Sequence, residues 1–136
     1  MRFSLEEIFE QSIGDNYAAD VSCRGFTARV VYGIKLVKDL KTDKIKVYNT
    51  AKSGDYYQEV EEEEYSIFLE KGWRYGVYVL SLNNIRLKLD KIEGKIKQEV
   101  NGRLSKKAIL GWKSNRASLM ARYSKITKKL NQLKSE

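Results

Sequence analysis

The chain has 136 residues, a net charge of +8 at pH 7, 42% hydrophobic residues, one Cys, no Pro and no His. That length fits one domain or a small domain with an extension, and that apolar fraction suffices for a modest core. Without imidazole there is no residue for triad, general-base or common zinc chemistry, and GxGxxG, GxxxxGK(S/T) and CxxC patterns are missing too, which points away from an enzyme, a cofactor or a metal site.

In chain order, the first element is marked by its cap. In FSLEEI, Ser4 and Glu7 make a capping box, and Phe3 and Ile8 occupy the two positions of a hydrophobic staple. A short helix is expected from Leu5 to about Ser12, ended by Gly14, Asp15 and Asn16. Phe26, Ala28, Val30, Tyr32, Ile34 and Leu36 then recur with period two, which predicts a long strand with one buried face, bent or bulged at Gly33. After the polar KTD turn, KIKVYNT alternates again with Ile45 and Val47 on one side, so the two runs read as an antiparallel ribbon. Two strands are marginal in water, so the ribbon needs a third strand near Asp20 to Arg24 or the helices that follow.

SGDYYQEVEEEEYSIFLEKGW reads as helical, with Glu61 to Glu64 in a first turn that the helix dipole favours and Tyr65, Phe68 and Leu69 as its apolar face. Adjacent glutamates on one turn point in different directions, so the run is a solvated helix start rather than a metal site. Gly72 fits a left-handed cap, with Trp73 placed to touch Phe68.

The remainder carries two heptad seams, Tyr78, Leu82, Ile85, Leu89, Ile92, Ile96 and Ile109, Trp112, Arg116, Leu119, Tyr123, Ile126, Leu130, Leu133. NGRLS between them supplies Asn101 and Gly102 as a stop and Ser105 as the next cap, with Leu104 and Ile109 as a second staple. So short a connection predicts an antiparallel helical hairpin with arms of about 28 and 30 residues, each about 40–45 Å long at about 1.5 Å per residue. Folding the seams about residue 103 sets Trp112 across from Gly94 and Arg116 near Asp90 and Glu93. A second apolar strip, Trp73, Val77, Leu80 and Leu87, lies opposite the seam and needs cover from the ribbon and short helices or from another subunit, which makes it a candidate interaction surface. GVYVLSL also alternates like a strand, and in that alternative the helix starts only at Asn83. The fold class is thus α+β, with residues 1–56 holding the first helix and ribbon and residues 57–136 the helical region, together forming one integrated domain.

Charge is unevenly spread: residues 1–56 carry +1, residues 57–72 carry −5 and residues 73–136 carry +12. From Lys106 to Lys134 there are nine cations and no acid, dispersed around the helix rather than along one narrow stripe. Such a surface is either a solvated coiled-coil face or a phosphate-contacting one that uses Arg103, Lys106, Lys107, Lys113, Arg122, Lys125, Lys128 and Lys129. No helix-turn-helix, zinc-finger or RRM signature accompanies it. Lys106 and Lys107 stand in a first turn that disfavours cations, and with Arg103, the Ser105 hydroxyl and free backbone N–H groups they form a candidate phosphate site. Among the tyrosines, Tyr56 and Tyr57 in a loop beside the ribbon are the first candidates for base stacking.

VYNTAKSGDYY followed by EEYSIFLEKGWRYGVYVLSLNNIRLKLDKIEGKIKQEVNGR resembles small uncharacterised proteins of tailed (T4-like) marine phages, over residues 45–133. The Lys-rich usage, 18 Lys against 8 Arg, is similar to that of such AT-rich genomes. The resemblance implies a phage accessory protein acting in the host cell cytoplasm or in assembly, and it supplies no site residue. No apolar run reaches the roughly 18 residues of a membrane span, and Cys23 has no partner for an internal disulfide, so the chain is expected to be cytoplasmic, with no membrane partner. The leading expectation is a non-enzymatic accessory protein that self-associates through its hairpin, or binds a protein partner, and the alternative is nonspecific nucleic-acid binding by the basic C-terminal helix.

Overall fold

The computed structural model describes residues 2–13, 19–23, 25–50, 57–99 and 106–135. The chain is α+β. Helix α1 (Leu5–Ser12) is followed by strands β1 (Ala19–Cys23), β2 (Phe26–Val31), β3 (Ile34–Asp39), β4 (Ile45–Thr50) and β5 (Tyr57–Glu59), then by helices α2 (Glu62–Lys71), α3 (Trp73–Glu99) and α4 (Lys106–Lys134). It divides into two compact units, residues 1–81 and 82–136. The division falls inside α3 and not near residue 56, because Val60, α2 and the first turns of α3 supply core residues to the first unit.

In the first unit α1 begins as its cap dictates: the Ser4 hydroxyl accepts the Glu7 N–H at 3.2 Å and the Glu7 carboxylate accepts the Ser4 N–H at 3.2 Å. Residues 14–16, expected to end this helix, lie outside the described residues. The sheet is a five-stranded antiparallel meander in the order β1-β2-β3-β4-β5. Two findings correct the expected ribbon, and a third bears out one of its two expected supports. The alternating run 26–36 is two strands, because Tyr32 (φ +50) and Gly33 (φ +80) both take positive φ and close a two-residue hairpin turn. Residues 19–23 form the third strand that the ribbon needed, paired to β2. Tyr57 to Glu59, expected to be part of a loop and helix start, form a fifth strand on β4.

Register fixes the faces. Val31 pairs with Ile34, Arg29 with Leu36, Leu36 with Val47 and Lys38 with Ile45, so these residues share one face. The turn therefore sends Val31, not Val30, to the core beside Ile34 and Leu36. That face packs with Ile8 and Phe9 of α1, Val60, Phe68 of α2, and Trp73, Val77 and Leu80 of α3. Arg29 and Lys38 stand at its margin with their cationic groups 5.8 and 5.1 Å from the Phe9 ring centroid. Their charge faces the ring while Phe9 stays buried.

The α2–α3 corner holds the helices to this core. Gly72 has φ +96 with extended ψ of 173, so it is not a left-handed helical cap; it turns the chain sharply and α3 starts at the next residue. The Trp73 N–H, one of the helix's first orphan donors, is taken by the Gln11 carbonyl oxygen at 2.8 Å, and the Phe3 N–H donates to Leu69 O at 2.6 Å. Trp73 stacks on Phe68 with centroids 5.8 Å apart, as their spacing around Gly72 suggests. Residues 76–82 are helical despite their alternation, because Val77 and Leu80 are needed on the same core-facing side as Trp73.

The second unit holds the rest of α3 and all of α4, two antiparallel helices packed along their seams. The full helices have 27 and 29 residues, close to the lengths read from the heptads. Leu82, Ile85, Ile126 and Leu130 are buried, whereas Leu89, Ile92, Ile96, Ile109, Trp112 and Leu119 are only half-buried. Tyr78, placed at the head of the seam by its spacing, packs instead against the core of the first unit.

Candidate functional site

The expected interaction strip is mostly interior. Trp73, Val77 and Leu80 are 0%, 1% and 2% exposed in the first core, under the sheet and short helices, which leaves only Leu87, 48% exposed, at the surface. Tyr56 lies outside the described residues, and Tyr57 sits on the edge strand β5 with the Lys35 ammonium 5.3 Å from its ring centroid. Tyr65 is a brace of the first unit: its hydroxyl accepts the Val47 N–H at 3.1 Å and donates to the Glu59 carboxylate at 2.8 Å. Burial pushes that hydroxyl up to about 12, with the Val47 N–H acting against the shift and Glu59 with it. Among the described residues no group of three or more acidic or Cys side chains gathers as a metal ion would need.

The hairpin of the second unit is where surface chemistry concentrates. Polar contacts cross its seam. Arg116 forms an ion pair with Glu93 at 2.9 Å, as the folding of the seams anticipated, and Arg86 donates to the Tyr123 hydroxyl at 3.0 Å. The hydrogen bond to Tyr123 raises the Arg86 guanidinium above its ordinary value, with Asp90 adding to the shift. Both contacts centre the fold between residues 104 and 105 rather than on 103. In that register Trp112 falls level with Lys97, not Gly94, and a Cβ built on Gly94 meets open space.

Helix geometry of about 100° per residue puts two different flanks on either side of the seam. One flank is a groove of about 560 Å³ lined by Arg86, Leu89, Asp90, Met120, Tyr123, Ser124, Thr127 and Lys128. The Arg116–Glu93 and Arg86–Tyr123 contacts lie on this side, and Met120 on its wall is 56% exposed. The opposite flank is a groove of about 400 Å³ lined by Lys88, Lys91, Ile92, Lys95, Asn115, Ser118, Leu119 and Arg122. Its lining has four cations and no carboxylate. The two grooves share no residue.

The cations singled out from sequence are thereby dispersed. Arg103 and Ser105 lie outside the described residues, while Lys106 and Lys107 belong to the first turn of α4. Arg122 lies in the basic groove and Lys128 in the apolar one; Lys113 and Lys125 are exposed, and Lys129 is half-buried. Lys88, Lys91 and Lys95, which complete the basic groove, are overshadowed in the sequence by the denser run of cations in α4. Their spacing of three and four was the signal that could have found them, since it stacks all three on one face beside the seam. No helix among the described residues is long and apolar enough to cross a membrane. No protein-family model, curated protein or solved structure matches this chain.

Proposed function

We propose that this is a non-enzymatic interaction protein that self-associates through the second unit, two copies closing their Leu89–Met120–Tyr123 grooves against each other. The observation that carries this reading is the groove itself: a half-buried Leu89 and an exposed Met120 beside a seam that two helices cover on one side only. Charge favours a second copy as occupant. Arg86, Asp90 and Lys128 give this flank both signs, so a two-fold pairing can set cation against carboxylate, whereas pairing the opposite flank with itself would oppose cations alone. We take its setting to be the cytoplasm, of an infected cell if the phage resemblance extends to its role.

The test is light scattering of the full chain at micromolar concentrations. A mass of about twice the 15.8 kDa chain is expected, falling to that of the monomer in Met120→Glu, which puts a carboxylate into the apolar contact. A wild-type monomer at about 100 μM, a concentration at which a Kd of even 1 μM leaves most chains paired, would sink the proposal.

A further inference from the structure

We infer that the opposite flank is a binding site for the phosphate backbone of a duplex nucleic acid, held by Lys88, Lys91 and Lys95 of α3 against Arg122 of α4. Three observations converge on this occupant. First, the lining is purely cationic where it is charged: both carboxylates of α3 that have described side chains, Asp90 and Glu93, belong to the other side of the seam, Glu93 in its ion pair with Arg116. Second, the spacing fits a phosphate strand. Lys88 to Lys95 spans about 10 Å of helix axis at about 1.5 Å per residue, so the three ammonium groups line up over a length that reaches neighbouring phosphates of one strand. Third, the polar groups across the groove suit phosphate oxygens: Arg122 offers a forked pair of N–H donors, and Asn115 and Ser118 add neutral donors.

The class of nucleic acid follows from what lines the floor. Single-strand binders stack bases on aromatic rings, and this groove has no ring in its lining. The contacts it offers are to the backbone, so duplex is bound without sequence preference. This site uses a different set of residues from the self-association groove, and neither inference depends on the other.

The experiment is fluorescence anisotropy of a labelled DNA duplex with the full chain, across salt from low to physiological. Four phosphate contacts give a slope of log K against log salt of about −3.6. Charge reversal at Lys88, Lys91 and Lys95 together should weaken binding more than about tenfold and flatten the slope to about −1. The same reversal at Lys97, Lys113 and Lys134, also exposed but outside the groove, changes net charge identically and should leave the slope near its original value. The milder triple Lys→Gln variant at 88, 91 and 95, with helicity checked by circular dichroism, should show the same loss. No binding at low salt, equal weakening by the two reversal sets, tighter binding of a single strand than of duplex, or displacement of the duplex by polyglutamate would each overturn the inference.

Discussion

Gly76 and Gly94 sit in the same helix and face opposite consequences. A Cβ on Gly76 would overlap the ring of the fully buried Phe68, so the missing side chain is what lets α3 close on α2. Overpacking of that kind costs about 1–3 kcal/mol and outweighs the gain of up to about 1 kcal/mol in helix propensity, so Gly76→Ala should be net destabilising in urea unfolding. At Gly94 the same change meets open space and should stabilise by about 0.5–1 kcal/mol. Tyr65 gives a pH signature. Its folded-state value, about 12, lies above its ordinary 10.0, so the protein holds the hydroxyl proton more tightly when folded. The stabilisation this represents is complete below pH 10 and is lost as pH rises toward 12. Tyr65→Phe should remove that part of the alkaline loss, read from thermal melts between those pH values; unchanged alkaline melting in the variant would count against the assignment.

Between elements, what was legible in the sequence depended on how local the signal was. The cap of α1 and the lengths of α3 and α4 could be read because a capping box and a heptad each lie within one helix. The β2–β3 turn could not. A two-residue turn pairs odd positions with even ones, Val31 with Ile34, so the even-numbered run from Phe26 to Leu36 conceals a change of face, and Tyr32 is not a residue that announces positive φ. β5 is three residues, Tyr-Gln-Glu, with no apolar alternation of its own. The register of α3 on α4 slipped by a few residues because the loop composition alone does not say where the crossing contacts will fall. Energetically the seam is apolar, not ionic. Ile126→Ala should cost about 2–5 kcal/mol because Ile126 is 1% exposed. Glu93→Gln should change stability by less than about 1 kcal/mol, since both partners of its ion pair keep contact with solvent, at 32% and 45% exposure. Urea titrations of the two variants would separate these magnitudes, and a larger effect from Glu93 would mean the hairpin is held by charge.

Across the molecule, the sequence shows a basic C-terminal half, and the structure resolves that charge into one flank that is cationic in its lining and one that is mixed. The candidate site was half legible for this reason: Arg122 was found among the cations of α4, while its counterparts on α3 were not, because which faces meet across a hairpin is a property of two helices together. Self-association through one flank leaves the other open, so a dimer would present two basic grooves. The first unit carries a different implication. Every strand of the meander hydrogen-bonds to its neighbour in sequence, and the turns between β2, β3 and β4 are short. Such a sheet has few distant partners to find, and little loop entropy is lost before each new ladder begins to form. It can grow one hairpin at a time as the chain lengthens during synthesis. The slow search that delays most β-rich proteins is thereby avoided, and the inner strand edges, which would otherwise recruit other chains, stay unpaired only briefly.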